Sequence, residues 1–261
     1  MDVILVRDYE EMSARAAEIV IAALRQKPDA VLGLATGSSP EGLYARLIDA
    51  HTNDGLDFAP VVTFNLDEYV GLGPDHPQSY RAFMNDRLFD HINVKPQNTH
   101  VPDGLAQPLR AHCAAYEEAI RQAGGIDLQV LGIGRDGHIG FNEPGTSLGS
   151  RTHVAALAPE TIEDNARYFA GPEEVPRFAV TMGIASILDA RRCILLAGGA
   201  GKAEAVAAAI EGPLTSQVPA SALQMHPDTV AIVDEAAAAR LRRADFYRWQ
   251  DRNRSQILDR L

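Results

Sequence analysis

Cysteine is almost absent from this chain of 261 residues, which contains only Cys113 and Cys193. The two lie far apart in apolar stretches, so we expect buried free thiols in a reducing cytoplasm rather than a disulfide or a cysteine metal site. The eight histidines are scattered without the spacing of metal ligands. We therefore expect no metal site.

Long apolar runs and an excess of positive charge are also missing. No apolar run approaches the roughly 20 residues that a membrane-spanning helix needs, so no membrane contact is expected. Residues 1–8 lack the basic and apolar regions of a signal peptide. The formal net charge is −11, and such a surface repels polyanions, so nucleic acid is not an expected partner.

What the chain does contain is a regular alternation of apolar strands and amphipathic helices. This pattern predicts one α/β domain over residues 1–261, with a three-layer, mostly parallel, Rossmann-like open sheet flanked by helices. The strands are predicted at residues 3–6, 30–35, 61–67, 126–133, 192–197 and 229–233. Helices are predicted after Asp8, at 80–91 after Ser79, and at 236–261. Asp8 and Ser79 are residue types suited to capping the helices that follow them.

The most informative stretch is the glycine-rich loop that follows the strand at 126–133. It carries Asp136, His138 and Glu143. Chemistry in α/β proteins concentrates at the C-terminal ends of parallel strands. Because a histidine flanked by two carboxylates suits proton transfer near neutral pH, we predict a catalytic loop rather than a plain surface turn.

The same loop contains a spacing that imitates a dinucleotide-binding fingerprint. Gly132, Gly134 and Gly137 match G-x-G-x-x-G. That fingerprint requires a helix to begin at once, whereas Gly140 and Pro144 predict a continued loop. No nicotinamide cofactor is therefore expected.

Two further strand ends carry polar groups. Thr36, Gly37, Ser38 and Ser39 form a strand-to-helix junction whose hydroxyl and backbone N–H groups suit an anion such as phosphate. Taken alone, the motif fits an ordinary helix cap equally well. Asp67 ends the strand at 61–67 and offers a carboxylate, for which a capping role is the alternative. The convergence of several such strand ends predicts a ligand site.

Two cations complete this inventory. Lys202 is one of only three lysines, and it stands at a glycine-rich turn before a helix. A lysine is disfavoured there by the helix dipole, which indicates a role in phosphate binding. Arg167 lies in the irregular segment 158–177, a candidate lid over the site.

Four segments of the chain together resemble the glucosamine-6-phosphate deaminase family, in the right order and over nearly the whole length. They are residues 36–40, 65–69, 134–144 and 199–202. The resemblance implies conversion of glucosamine 6-phosphate and water to fructose 6-phosphate and ammonia without cofactor or metal. It leaves open whether the glucosamine or the galactosamine phosphate is preferred.

The resemblance also implies residue roles. Asp67 matches the base that moves a proton between C2 and C1, and His138 matches the residue that assists ring opening. Asp136 and Glu143 match the carboxylates that orient this histidine. The implied phosphate ligands are Thr36, Gly37, Ser38, Ser39, Arg167 and Lys202.

One segment departs from the pattern of the allosterically activated members, which carry Arg-Thr-Arg-x-Lys. Here residues 151–155 read Arg-Thr-His-Val-Ala. Because two cationic positions are lost, we expect weak or no activation by N-acetylglucosamine 6-phosphate. The same loss argues against the allosteric hexamer and for a smaller assembly, if a homo-oligomer forms.

Two alternative functions remain open at this point. The first is a 6-phosphogluconolactonase-like hydrolase on the same scaffold, although that family typically has Asp-Glu-Arg where this chain has Asp67-Glu68-Tyr69. The second is a non-catalytic sugar-phosphate sensor domain. Such a sensor would tolerate the loss of Asp67 or His138, and both residues are present.

Overall fold

A computed structural model describes residues 1–253 and contains two β-sheets. The strands of the central sheet are β1 (Asp2–Val6), β2 (Val31–Leu34), β3 (Val62–Asn65), β5 (Thr99–His100), β6 (Leu128–Gly132), β9 (Arg192–Ala197) and β10 (Thr229–Asp234). Their spatial order is β1-β10-β9-β6-β2-β3-β5, and every pairing is parallel. The smaller sheet is antiparallel, in the order β4-β8-β7, with strands β4 (Asp67–Tyr69), β7 (His153–Ala156) and β8 (Phe178–Thr181).

Helices cover both faces of the central sheet, as the sequence predicts. They are α1 (Tyr9–Gln26), α2 (Glu41–Asp54), α3 (Tyr80–Arg87), α4 (Leu109–Gln122), α5 (Pro159–Asn165), α6 (Ile184–Leu188), α7 (Ala203–Glu211) and α8 (Ala244–Arg252). Alternate residues of one strand enter different cores: Ile194 packs in one buried cluster and Leu195 in the other. The three-layer, mostly parallel α/β architecture is thereby confirmed.

The predicted helix caps at Asp8 and Ser79 and the buried thiols are also confirmed. The carboxylate of Asp8 accepts a hydrogen bond from the backbone N–H of Glu11 and caps α1. Ser79 caps α3 in the same way through the N–H of Ala82. Cys113 and Cys193 are free and buried. Within residues 1–253, no helix is both long enough and apolar enough to cross a bilayer.

Among the element boundaries that differ from the prediction, three matter for the fold. The strand predicted at 61–67 ends at Asn65, because the chain then leaves the central sheet and Asp67 begins β4 beside β8. The helix predicted at 80–91 ends at Arg87, before a single turn of 3₁₀ helix. The start predicted for the last helix, at residue 236, is wrong: α8 begins at Ala244.

Residues 235–240 form turns, and α8 begins only where a side chain receives the N–H groups that precede it. The carboxylate of Glu211 accepts hydrogen bonds of 2.9 Å from the N–H groups of Arg242 and Arg243, the two residues before Ala244. Residues 254–261, the last part of the predicted helix, lie outside the described residues.

The strand order places the polar strand ends next to one another. Strands β9, β6, β2 and β3 are neighbours, and they precede Lys202, His138, Thr36 and Asp67 respectively. From β2 the chain moves outward to β3 and β5, whereas from β6 it moves the opposite way to β9 and β10. Ligands of open α/β sheets bind at such a reversal of strand order.

Candidate active site

A cavity of about 580 Å³ opens at this edge of the central sheet. Eight residues predicted for the site line it: Thr36, Gly37, Ser38, Ser39, Asp67, His138, Arg167 and Lys202. The other two predicted residues, Asp136 and Glu143, contact the ring of His138. The fold therefore brings all ten predicted residues to one place.

The imidazole of His138 is held by two carboxylates. Its Nδ1 lies 2.8 Å from Oδ1 of Asp136 and 3.5 Å from Oε2 of Glu143. Burial lowers the pKa of His138, but its contacts with Asp136 and Glu143 outweigh burial and raise the pKa to about 9. Burial acts to raise the pKa of Asp136, yet the contact with His138 prevails and lowers it. This arrangement keeps His138 protonated near neutral pH and leaves Nε2 without a partner among the described residues.

Backbone geometry allows this close packing. A Cβ atom on Gly134 would come 2.4 Å from Nδ1 of His138 and 2.6 Å from Oδ1 of Asp136. Only a glycine leaves room for the loop to fold back over the strand end. Glu143 is fixed by its second oxygen, which accepts a hydrogen bond of 3.1 Å from the N–H of Ala158.

The same three side chains have the composition of a small metal site. Ligand atoms of Asp136, His138 and Glu143 lie within 4.8 Å of one another. However, the 2.8 Å contact between His138 and Asp136 is the separation of a direct ion pair. We therefore assign the two carboxylates to the imidazole rather than to a cation.

Asp67 has a different environment. The residue is only 5% exposed, and no described residue donates a hydrogen bond to its carboxylate. Burial, and then the charge of Glu68, raise the pKa of Asp67 to about 8, while His138 acts in the opposite direction. A buried carboxylate with a raised pKa and no partner, in a cavity, has the properties of a general base.

Asp67 and the loop of His138 approach each other at Gly140. A Cβ atom there would lie 3.5 Å from Oδ2 of Asp67 and 2.9 Å from Oγ1 of Thr181. Gly140 also has φ +57°, in the left-handed region. The side chains of Asp67 and His138 thus face one shared space.

The junction after β2 presents unused hydrogen-bond donors. Gly37 has φ +85°, and nothing lies within 4 Å of the position of a Cβ. Within the described residues, the N–H groups of Gly37, Ser38 and Ser39 donate no hydrogen bond, and neither do the hydroxyls of Ser38 and Ser39. Together with the start of α2 they form a cradle for an anion.

Two cations without ionic partners stand in the same cavity. Lys202 makes no ion pair with any described residue, and burial lowers its pKa. Arg167 also lacks an ion pair within residues 1–253, and its guanidinium lies 4.7 Å from the ring centre of Tyr168. Nearby, Nε of Arg135 donates to Asp164 at 2.9 Å, so that cation is already neutralised. Lys202 and Arg167 are the charges left for an anionic ligand.

Sequence reasoning missed an aromatic wall of the cavity. Tyr80 stacks on Phe141 with ring centres 6.0 Å apart, and Phe169 meets Tyr69 edge-on at 5.7 Å. All four line the cavity. The sequence signal was weak, because these residues come from four separate segments and each one alone resembles an ordinary core residue.

Comparison with known proteins now identifies the family. The profile of the glucosamine-6-phosphate isomerases/6-phosphogluconolactonase family matches residues 8–141 and 146–232. The chain belongs to this family. Among its members, the glucosamine-6-phosphate deaminase of Hahella chejuensis is 56% identical over 249 residues, covering 95% of each chain. That of Shewanella woodyi is 52% identical over 262 residues, covering 100% of this chain and 99% of the relative.

Solved structures of family members agree. A monomeric glucosamine-6-phosphate deaminase superposes with a TM-score of 0.90 at 50% identity, covering 92% of this chain and all of that one. The 6-phosphogluconolactonase of Trypanosoma cruzi gives a TM-score of 0.72 at 22% identity, covering 92% of this chain and 97% of that one. The second likeness shows only that the two proteins share a fold.

Proposed function

We propose that this protein is a glucosamine-6-phosphate deaminase, which converts D-glucosamine 6-phosphate and water to D-fructose 6-phosphate and ammonia. One observation carries the proposal: a buried, unpartnered carboxylate, Asp67, shares a cavity with His138, which two carboxylates hold. The identity of more than 50% to deaminases over nearly the full length supports it. A distant phosphogluconolactonase, at 22% identity, gives the hydrolase alternative no comparable support.

The phosphate end of the substrate binds first in this scheme. The N–H groups of Gly37, Ser38 and Ser39 donate to phosphate oxygens, and Thr36 adds its hydroxyl. Lys202 and Arg167 supply the positive charge that balances the negative charge of the phosphate. Anchoring the phosphate keeps C1 and C2 in register with the catalytic groups.

Ring opening is the task of His138. The imidazolium donates a proton from Nε2 to the ring oxygen as the bond between C1 and the ring oxygen breaks, and Nε2 then accepts the proton of the C1 hydroxyl, which gives the open aldehyde and restores the imidazolium. Asp136 and Glu143 stabilise the charged imidazole and fix its orientation.

Isomerisation and loss of nitrogen follow. The carboxylate of Asp67 removes the proton from C2 while the imidazolium of His138 protonates the C1 oxygen, which forms an enol amine. Asp67 then returns its proton to C1, and the nitrogen gives a proton back to His138, which leaves an imine at C2. Water adds to this imine, and ammonia departs as the C2 ketone forms. The residues supply acid, base and charge stabilisation for every step, so the scheme assigns no cofactor or metal.

We further propose that segment 158–177 acts as a lid. This segment includes α5 and contributes Asp164, Arg167 and Phe169 to the cavity wall. Closure of such a segment excludes water from the enol amine. A cytoplasmic location fits the two free thiols and the phosphorylated substrate.

Regulation by an activator is not part of the proposal. The guanidinium of Arg151 donates to Glu117 at 3.0 Å through Nε and also pairs with Asp189. It is therefore committed within the protein, and two other cations of the activated pattern are absent. N-acetylglucosamine 6-phosphate should leave the rate curve unchanged, and the assembly should be smaller than a hexamer; a sigmoidal curve made hyperbolic by that compound contradicts this.

Product analysis tests the function. The purified protein is incubated with glucosamine 6-phosphate, and ammonia and fructose 6-phosphate are each measured by a coupled enzyme assay. We expect the two products in equal amounts. Hydrolysis of 6-phosphogluconolactone without ammonia release would favour the lactonase, and binding without turnover would favour the sensor. Parallel assays with galactosamine 6-phosphate determine which epimer is preferred.

A further inference from the structure

Glu68 is a buried charge that the proposed mechanism does not use. The residue is 2% exposed, although it directly follows Asp67 on β4. Asp67 and Tyr69 line the cavity, whereas Glu68 does not, because successive side chains of a strand point to opposite faces. Its carboxylate is therefore not a contact for the substrate.

Three backbone N–H groups donate hydrogen bonds to the carboxylate of Glu68. Oε1 accepts hydrogen bonds of 2.9 Å from the N–H groups of Tyr69 and Tyr80, and Oε2 accepts one of 3.0 Å from Arg81. Tyr80 and Arg81 are the first two residues of α3. The side chain of Glu68 thus joins strand β4 to the start of α3.

This connection fixes two walls of the cavity relative to each other. One wall is β4, which carries Asp67, and the other is α3, whose first residue, Tyr80, lines the cavity and stacks on Phe141. Arg81 joins α3 to Thr99 in turn, since its guanidinium donates to the hydroxyl of Thr99 at 2.9 Å and to the carbonyl of Thr99 at 2.8 Å.

We propose that Glu68 is a positioning residue for the deamination: it acts through Asp67 and Tyr80, which it holds at a fixed separation, and it supplies the negative charge next to the base. The proposal rests on the proposed function. Hydrogen-bond partners behind the ligands of metal enzymes affect metal affinity or activity by about 10- to 100-fold, and we expect an effect of the same order here.

The charge of Glu68 acts on the base directly. It contributes to the raised pKa of Asp67, after burial. Within residues 1–253, the other titratable and charged groups that interact with these two carboxylates are His138, Tyr44, Tyr69, Tyr80, Tyr116 and Arg81. Removal of the charge on Glu68 leaves these groups in place and should lower the pKa of Asp67.

The substitution Glu68→Gln tests the role. A glutamine keeps the shape and one acceptor, but its amide places a donor against the N–H of Arg81. We expect kcat for ammonia release to fall about 10- to 100-fold while KM changes less than about threefold. We also expect the acid limb of the kcat/KM profile to move to lower pH, which a purely structural role would not produce.

Two further variants complete the design. Glu68→Asp keeps the charge but is too short for all three N–H groups, so kcat should fall without the shift of the acid limb. This variant also keeps the proposal testable if Glu68→Gln does not fold. Glu118→Gln, a half-exposed glutamate of α4, makes the same chemical change away from the cavity and should match the parent.

The outcomes separate this inference from the function itself. A parent enzyme that releases no ammonia would refute the function before any variant is measured. With an active parent, an unchanged kcat in Glu68→Gln, or an unmoved acid limb, would overturn the inference alone. Thermal unfolding of each variant identifies losses of activity that follow losses of folded protein.

Discussion

The two ends of the cavity treat charge in opposite ways. At the end where we propose that phosphate binds, called the phosphate end below, Lys202 and Arg167 have no ionic partners within the described residues, and the N–H groups of residues 37–39 are unused. At the other end, His138 is already in contact with Asp136 and Glu143. Lys202 and Arg167 therefore have no counter-charge until a ligand binds, whereas His138 has its counter-charges within the protein.

This difference follows from the two tasks. A binding group must exchange water for a ligand, so an internal partner would compete with the phosphate. A group that transfers protons needs a fixed orientation and a tuned pKa, which internal partners provide. Substitutions at the phosphate end should therefore raise KM, and those at the other end should lower kcat or move its pH dependence.

The largest expected effect belongs to Asp67→Asn. The amide retains the size of the side chain but cannot accept the C2 proton, so kcat should fall at least about 10³-fold, within the range of general base catalysis. KM should change little, because the phosphate contacts remain. Exchange of the C2 hydrogen with solvent in deuterium oxide, followed by NMR, should be lost in parallel.

A matched variant guards this result. Asp54→Asn removes the same charge from the exposed end of α2 and should leave kcat unchanged. If Asp67→Asn still exchanged the C2 hydrogen at the parent rate, another group would be the base. The assignment of catalysis to Asp67 at this end of the cavity would then be wrong.

The sequence predicts much of this site, because its loops follow directly from strands. Most of the predicted site residues stand shortly after a strand, as His138 follows β6 and Thr36 follows β2. Arg167, in the middle of segment 158–177, is the exception. Parallel strands align their C-terminal ends, so a strand pattern alone brings such loops to one edge. The carboxylates around His138 are also local, two and five residues away in sequence.

Contacts between residues far apart in the chain could not be predicted from the sequence. The second sheet requires β4 to pair with β8, more than a hundred residues away, and strands of three or four residues carry little periodic signal. The role of Glu68 depends on the N–H groups of Tyr80 and Arg81, which only the fold brings near. Glu68 could be read from sequence only as a cap or a surface charge.

The phosphate end gives the second prediction, through Lys202→Met. Methionine keeps the length of the side chain but removes the charge that faces the phosphate. A hydrogen bond to a charged group contributes about 1.5–3 kcal/mol, so KM should rise about 10- to 100-fold. Steady-state kinetics with glucosamine 6-phosphate measure it, and kcat should change far less.

A second lysine provides the control. Lys95 is exposed and lies outside the cavity, so Lys95→Met changes the net charge equally and should leave KM unaltered. A fall in kcat at constant KM for Lys202→Met would contradict the division of labour, since it would place this cation in the chemical steps.

The smallest expected effect concerns the proton-transfer end and its pH dependence. The mechanism needs Asp67 deprotonated, with a pKa of about 8, and His138 protonated, with a pKa of about 9. The profile of kcat/KM, which reports the free enzyme, should therefore rise toward pH 8 and fall above pH 9.

In Asp136→Asn a negative charge beside the imidazolium is lost, so the pKa of His138 should fall and the alkaline limb should move to lower pH by about one to two pH units. Glu143→Gln removes a charge at 3.5 Å rather than 2.8 Å, and its shift should be the smaller of the two because Coulomb attraction weakens with distance. An alkaline limb that stayed in place in both variants would mean that the carboxylates do not set the charge of His138, and this end of the cavity would no longer differ from the other in the way described.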